Sequence, residues 1–169
     1  CSRRAGHVVT RPLNCGVRRH VGFIAKLLGA APKSEWGGLH LDQPDVWEIG
    51  PTQDRLRFLR ALPTLLRRPC ALYLEGTTEL GVEQLLAGNV IEDPERIAIG
   101  TIWPRPKRFH VPCTGEFLQA LAQRLESEPK PYLCTHLHAY AAGSVLLEWH
   151  DAFGSDPMRV SREINEAAV

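Results

Sequence analysis

Residues 132–140 and 145–151 form two alternating runs separated by Ala141-Ala142-Gly143-Ser144. Two strand-like runs joined by a short Gly-containing break read as a β-hairpin. This hairpin constrains the fold more than any other feature. Successive strand side chains point to opposite faces, so each face of the hairpin needs its own environment. Period two puts Leu133, Thr135, Leu137 and Ala139 on one face. The other face receives Cys134, His136, His138 and Tyr140. An apolar face of this kind must be covered, and helices elsewhere in the chain are the available cover.

Those helices are legible upstream. Residues 45–49 form a short strand stopped by Gly50-Pro51. Thr52 is the expected N-cap of a helix with Leu56, Phe58, Leu59, Leu62, Leu65 and Leu66 on one stripe. Pro63 lies inside that stripe and is expected to kink the helix or restart it. Residues 70–74 (CALYL) are apolar in succession, as in a central strand, and Glu75-Gly76 ends them. A second helix follows from about Thr78, with Asn89 near its end. Residues 97–103 (IAIGTIW) read as a further strand, which permits a parallel crossover from 70–74. Pro104 and Pro106 force a loop, Phe109 and Val111 bracket a short returning strand, and Thr114 caps a third helix carrying Phe117, Leu118, Leu121, Ala122 and Leu125. Residues 158–160 add a last strand, and Ser161 caps a closing helix.

The expected fold is therefore a single α+β domain over residues 45–169, with a mixed, mostly antiparallel sheet of about five to six strands. Three to four helices cover one of its faces. Charge sets the remainder of the chain apart. No acidic residue precedes Glu35, and the first 34 residues carry five arginines and two lysines. The remaining residues hold 13 basic and 19 acidic side chains, so a net charge of +1 conceals two unlike pieces. Residues 1–20 are read as a basic tail, either disordered or not native, because Val21 onward resembles the opening of a small bacterial-type cytosolic protein. A nucleic-acid arm and an organelle-targeting peptide are the competing readings. Residues 21–44 are read as a short amphipathic helix around Phe23, Ile24, Leu27 and Leu28 followed by a linker.

Five scattered cysteines, with no CxxC pair, suit a reducing cytoplasm better than a secreted disulfide scaffold. No run approaches the roughly 20 apolar residues of a membrane span. GxGxxG, Walker, GxSxG, HExxH and EF-hand patterns are absent from the sequence.

Chemistry is expected on the thiol-and-imidazole face of the hairpin. Cys134, His136 and His138 are candidate ligands for zinc or iron, with His150 or Asp151 joining them according to the hairpin register. A general acid/base role for His136 or His138 is the other catalytic option. Cys113 precedes a helix, where a thiol's pKa falls, and would need a base such as His110. Glu75 closes a central strand at its C-terminal end.

The leading expectation is a non-catalytic cytosolic binding or accessory protein with no cofactor. It would recognise a protein partner through an exposed sheet face and loop, using Trp103, Arg105, Arg108, Tyr140 and Trp149, with His136 and His138 alongside. A metal-dependent hydrolase built on the Cys/His cluster is the alternative. Nucleic-acid binding through the basic segments is the third reading.

Overall fold

A computed structural model describes residues 37–41, 46–98, 100–101, 104–129 and 132–164. The expectations for the basic tail, for the helix after Val21 and for Trp103 lie outside these residues. So does most of the helix expected after Ser161, where the described residues 162–164 form a turn.

The elements run β1 (Val46–Ile49), α1 (Arg55–Leu66), β2 (Ala71–Glu75), α2 (Leu80–Ala87), β3 (Arg108–Pro112), α3 (Gly115–Glu126), β4 (His136–Ala141), β5 (Ser144–Trp149) and β6 (Met158–Ser161). The six strands form one sheet in the order β1-β6-β5-β4-β2-β3, and every pairing between them is antiparallel. This is the expected α+β architecture, with one difference: no parallel crossover joins the strands. Of the expected strand 97–103, the described residues 97–98 and 100–101 do not form a strand. Ile97 makes an isolated parallel bridge to Leu39. The amides of Gly100 and Thr101 turn instead to the Glu75 carboxylate. A side chain that offers backbone donors an alternative partner competes with ladder formation.

The helices form where caps and stripes coincide. Asp54, not Thr52, is the N-cap of α1 and accepts from the Arg57 amide at 2.9 Å. Thr52 instead accepts from the Asp54 amide. The helix runs unbroken through Pro63, which therefore neither restarts nor ends it. Burial of Phe58, Leu59, Leu62 and Leu66 holds it to the sheet, each contributing about 1.5–3 kcal/mol. Arg67, in the left-handed region at φ 49°, closes the helix with its amide on the Pro63 carbonyl. Thr114 caps α3 as expected, accepting from Phe117. At the C-terminal end of α2 the Asn89 side chain donates to the Leu85 carbonyl.

The buried residues of all three helices pack in one core with Leu72 and Leu74 of β2, Val111 of β3, Leu137 and Ala139 of β4, Leu146, Leu147 and Trp149 of β5, and Val160 of β6. Trp149 lies at the centre of this core, edge-on to Phe58 at 5.2 Å and near Phe153 at 4.6 Å. Its indole N–H donates to the Asp156 carbonyl. The hairpin turns at Ala142 and Gly143, both at positive φ, and a bulge follows at Ala139/Tyr140. Gly76 (φ +83°) ends β2, and a Cβ there would sit 2.4 Å from the Thr135 hydroxyl oxygen. Gly76→Ala is expected to lower stability by about 1–2 kcal/mol in denaturant unfolding, through strain and crowding together.

The opposite face of the sheet carries a smaller apolar cluster: Leu41, Ala71, Tyr73, Ile97, Tyr140 and Val145. Residues 37–41, expected to belong to a linker, thus pack on the sheet. Leu39 exchanges backbone bonds with Arg96 and Ala98, and Leu41 is buried.

Candidate functional site on the polar face of the sheet

Strand register builds this site. Tyr73 stands opposite His110 on one side and His138 on the other. His138 faces Glu148, Glu148 faces Arg159, and Arg159 faces Glu48. A row of polar side chains therefore crosses all six strands on the face away from the helices. One step along, Glu75 stands opposite both Arg108 and His136.

Two buried carboxylates organise the row. Glu75 has no exposed surface. It accepts the Tyr73 hydroxyl, the Gly100 amide at 3.2 Å and the Thr101 amide at 2.6 Å. Burial alone would raise its pKa, but these donors outweigh burial and hold the carboxyl below its ordinary value. Burial and the neighbouring carboxylate push the Tyr73 phenol well above its usual range. Glu148 is also buried, and accepts the Leu41 amide at 2.7 Å, His150 Nε2 at 3.1 Å and Arg159 at 3.4 Å. Against burial, the His150 and Leu41 bonds bring its pKa down to about 2.

The histidine protons follow from the donors around them. The Asp151 amide points at His136 Nδ1 at 3.3 Å, so that nitrogen accepts and Nε2 carries the proton. His136 Nε2 then donates to the Thr101 hydroxyl at 3.0 Å. His150 Nδ1 lies 3.3 Å from the same accepting nitrogen while its Nε2 meets Glu148. His150 Nε2 donates to the Glu148 carboxylate. Its bond to Glu148 raises its pKa accordingly. Burial lowers that of His136, which stays neutral as the acceptor.

His138 differs from both. Its ring is 1% exposed, lies between Tyr73 and His150, and has no hydrogen-bond partner on either nitrogen. Burial brings its pKa down to about 4. At the edge of the row His110 Nδ1 meets the Tyr140 hydroxyl at 2.9 Å.

Several expectations change here. Cys134 does not share the histidine face. It precedes β4, is 1% exposed and packs in the helix-covered core, where burial pushes its thiol pKa up. Period two fails because the strand begins only at His136. His150 joins the cluster, whereas Asp151 contributes its amide to His136 and its side chain is exposed. Among the described residues, no three His, Cys, Asp or Glu side chains are grouped to hold a metal. Trp149 and Tyr140, expected as exposed contacts, are buried; only Arg105 and Arg108 of the described contact residues are exposed. Residue type alone suggests an outward place for both, since aromatics dominate contact surfaces, but each lies on a paired strand and packs in a core cluster. Cys113 lies beside the helix-covered core whereas His110 bonds Tyr140 on the other face, so the two do not form a nucleophile–base pair.

Reasoning from sequence missed Tyr73, Thr101 and Glu148. Tyr73 and Glu75 stand two apart on one strand, a spacing that could have flagged them. No local pattern could have placed Thr101, whose role depends on a carboxylate 26 residues away. Compared with family models, curated proteins and solved structures, the chain matches none of them.

Proposed function

We propose that this protein is a non-catalytic cytosolic binding protein that recognises an acidic stretch of a partner protein. The contact surface is the loop ending at Arg108 together with the adjoining His136/His150 corner. The observation that carries this reading is the contrast between buried and exposed charge. Both buried carboxylates are engaged by protein donors, while the cations on the same face reach the surface. The His150 side chain is 44% exposed, and Arg105 and Arg108 are exposed as well. A half-exposed imidazole with a raised pKa, together with exposed arginines, suits carboxylate recognition.

The hydrolase alternative loses support. Cys134 is in the core, and both buried carboxylates are taken up by protein donors. Among the described residues no helix is long and apolar enough to cross a membrane. The cytosolic assignment rests on the three thiols described as free.

The test is capture of the partner from a cell extract, followed by affinity measurement with the purified pair. Arg105→Ala combined with Arg108→Ala is expected to weaken binding roughly tenfold or more, with most of the effect at low salt. Arg57→Ala combined with Arg60→Ala, on the helical layer, leaves affinity unchanged. Binding also falls as pH rises through the elevated pKa of His150, because the imidazolium is present only below it. Equal loss from both double variants would overturn the assignment, as would binding that requires added zinc or nucleic acid.

A further inference from the structure

Cys70 and Cys113 occupy directly opposed positions one step beyond the β2/β3 ladder, which ends at the Ala71–Pro112 pair. The Cys113 amide donates to the Cys70 carbonyl at 3.0 Å, so the register continues through the two cysteines. Opposed residues of a hydrogen-bonded antiparallel pair have Cα atoms about 5.5 Å apart. That separation lies within the roughly 4.4–6.8 Å range a disulfide spans. Both side chains rest against the same apolar core, both are partly exposed, and both are free thiols.

We propose that Cys70 and Cys113 form a reversible dithiol–disulfide pair, a modification site that reacts with low-molecular-weight disulfides such as glutathione disulfide. The Cys113 S–H donates to the Cys70 sulfur and, with Arg68 nearby, lowers the Cys70 pKa against the effect of burial. The same bond and burial raise that of Cys113. The N-terminus of α3 directly after Cys113 favours its thiolate too, so either thiol can attack while the other resolves, and the exchange balances the same way from each side. Where Cys70 attacks, its sulfur bonds one sulfur of glutathione disulfide, the S–S bond breaks, and one glutathione leaves as thiolate. Cys113 then gives up its proton, its sulfur attacks Cys70 Sγ in the mixed disulfide, and the second glutathione leaves. Two protein thiols are oxidised to one disulfide, one glutathione disulfide is reduced to two thiols, and the two protons end on glutathione. The bridge would tie the chain just past the end of α1 to the residue before the N-cap of α3.

The full chain incubated with glutathione disulfide and digested for mass spectrometry tests this. The expected product has lost two hydrogens and contains a peptide pair linked through Cys70 and Cys113. With its partner removed, the remaining cysteine should stop at the mixed disulfide, so Cys113→Ser should accumulate a glutathione adduct on Cys70 and Cys70→Ser one on Cys113. In the reduced protein iodoacetamide should alkylate Cys70 and Cys113, and formation of the bridge should protect both. Cys134 should stay unalkylated until the protein is denatured, which verifies that the variants are folded. A stable glutathione adduct on Cys70 of the unmutated chain would overturn the proposal. So would bridges formed with Cys1 or Cys15 in place of Cys113, or a folded protein that resists the reagent.

Discussion

Replacing Glu75 with alanine is expected to lower stability by about 3–5 kcal/mol, a third or more of what a domain of this size has. The loss is large because three donors converge on one carboxylate that has no exposed surface. Without it the Tyr73 hydroxyl and the Gly100 and Thr101 amides must find water or stay unpaired, and an unpaired buried donor costs about 1–3 kcal/mol. Glu75→Gln keeps the volume but turns an NH2 group toward donors. It should cost less, about 2–3 kcal/mol by the same reasoning. Because the Glu75 pKa is depressed on folding, its contribution is present above the ordinary carboxyl pKa and is lost as pH falls through the depressed value. The gap between wild type and Glu75→Gln should therefore narrow in acid. Urea unfolding at several pH values measures it.

His138→Phe is expected to do the reverse and stabilise the fold. The ring is buried with neither nitrogen bonded, so the imidazole contributes desolvated polar atoms and no hydrogen bond. Its pKa of about 4 in the fold lies below the ordinary 6.5. The stability linked to His138 is thus full above pH ~6.5 and drains away as pH falls toward ~4, because the unfolded chain takes up the proton first. The shift corresponds to about 3 kcal/mol across that window. His138→Phe should be as stable as wild type or up to ~1 kcal/mol more stable at neutral pH, and about 2–4 kcal/mol more stable near the acid end. Melting curves at neutral pH and in mild acid would check the widening gap. A constant difference would mean that the ring has hydrogen-bond partners after all.

These two residues show where sequence reasoning succeeds and where it stops. Helices α1 and α3 and the hairpin were legible because apolar stripes and a Gly-containing turn are local signals; the Thr114 cap was legible too, whereas the α1 cap falls at Asp54 rather than Thr52. The histidine face was legible in part: His136 and His138 do share a face, since β4 is regular over both. Cys134 was misplaced because alternation says nothing of where a strand begins, and this one begins two residues later. Residues 97–103 read as a strand on apolar content alone, yet the amides of Gly100 and Thr101 are taken by a carboxylate on β2. Trp149 and Tyr140 were assigned outward by residue type, although the sheet's two faces are both covered at their positions. The cysteine pair was invisible for a similar reason. Cys70 and Cys113 are 43 positions apart, and only the β2/β3 register brings them opposite each other.

The buried carboxylates fasten two irregular segments to the sheet, residues 37–41 through Glu148 and residues 100–101 through Glu75, and so hold the contact surface in place. Amide hydrogen exchange on the folded protein tests it most directly, comparing wild type with Glu75→Gln and Glu148→Gln. Glu75→Gln should speed exchange at Gly100 and Thr101 while leaving Leu41 protected, and Glu148→Gln should release Leu41 alone. Unchanged protection of all three amides in both variants would contradict the account.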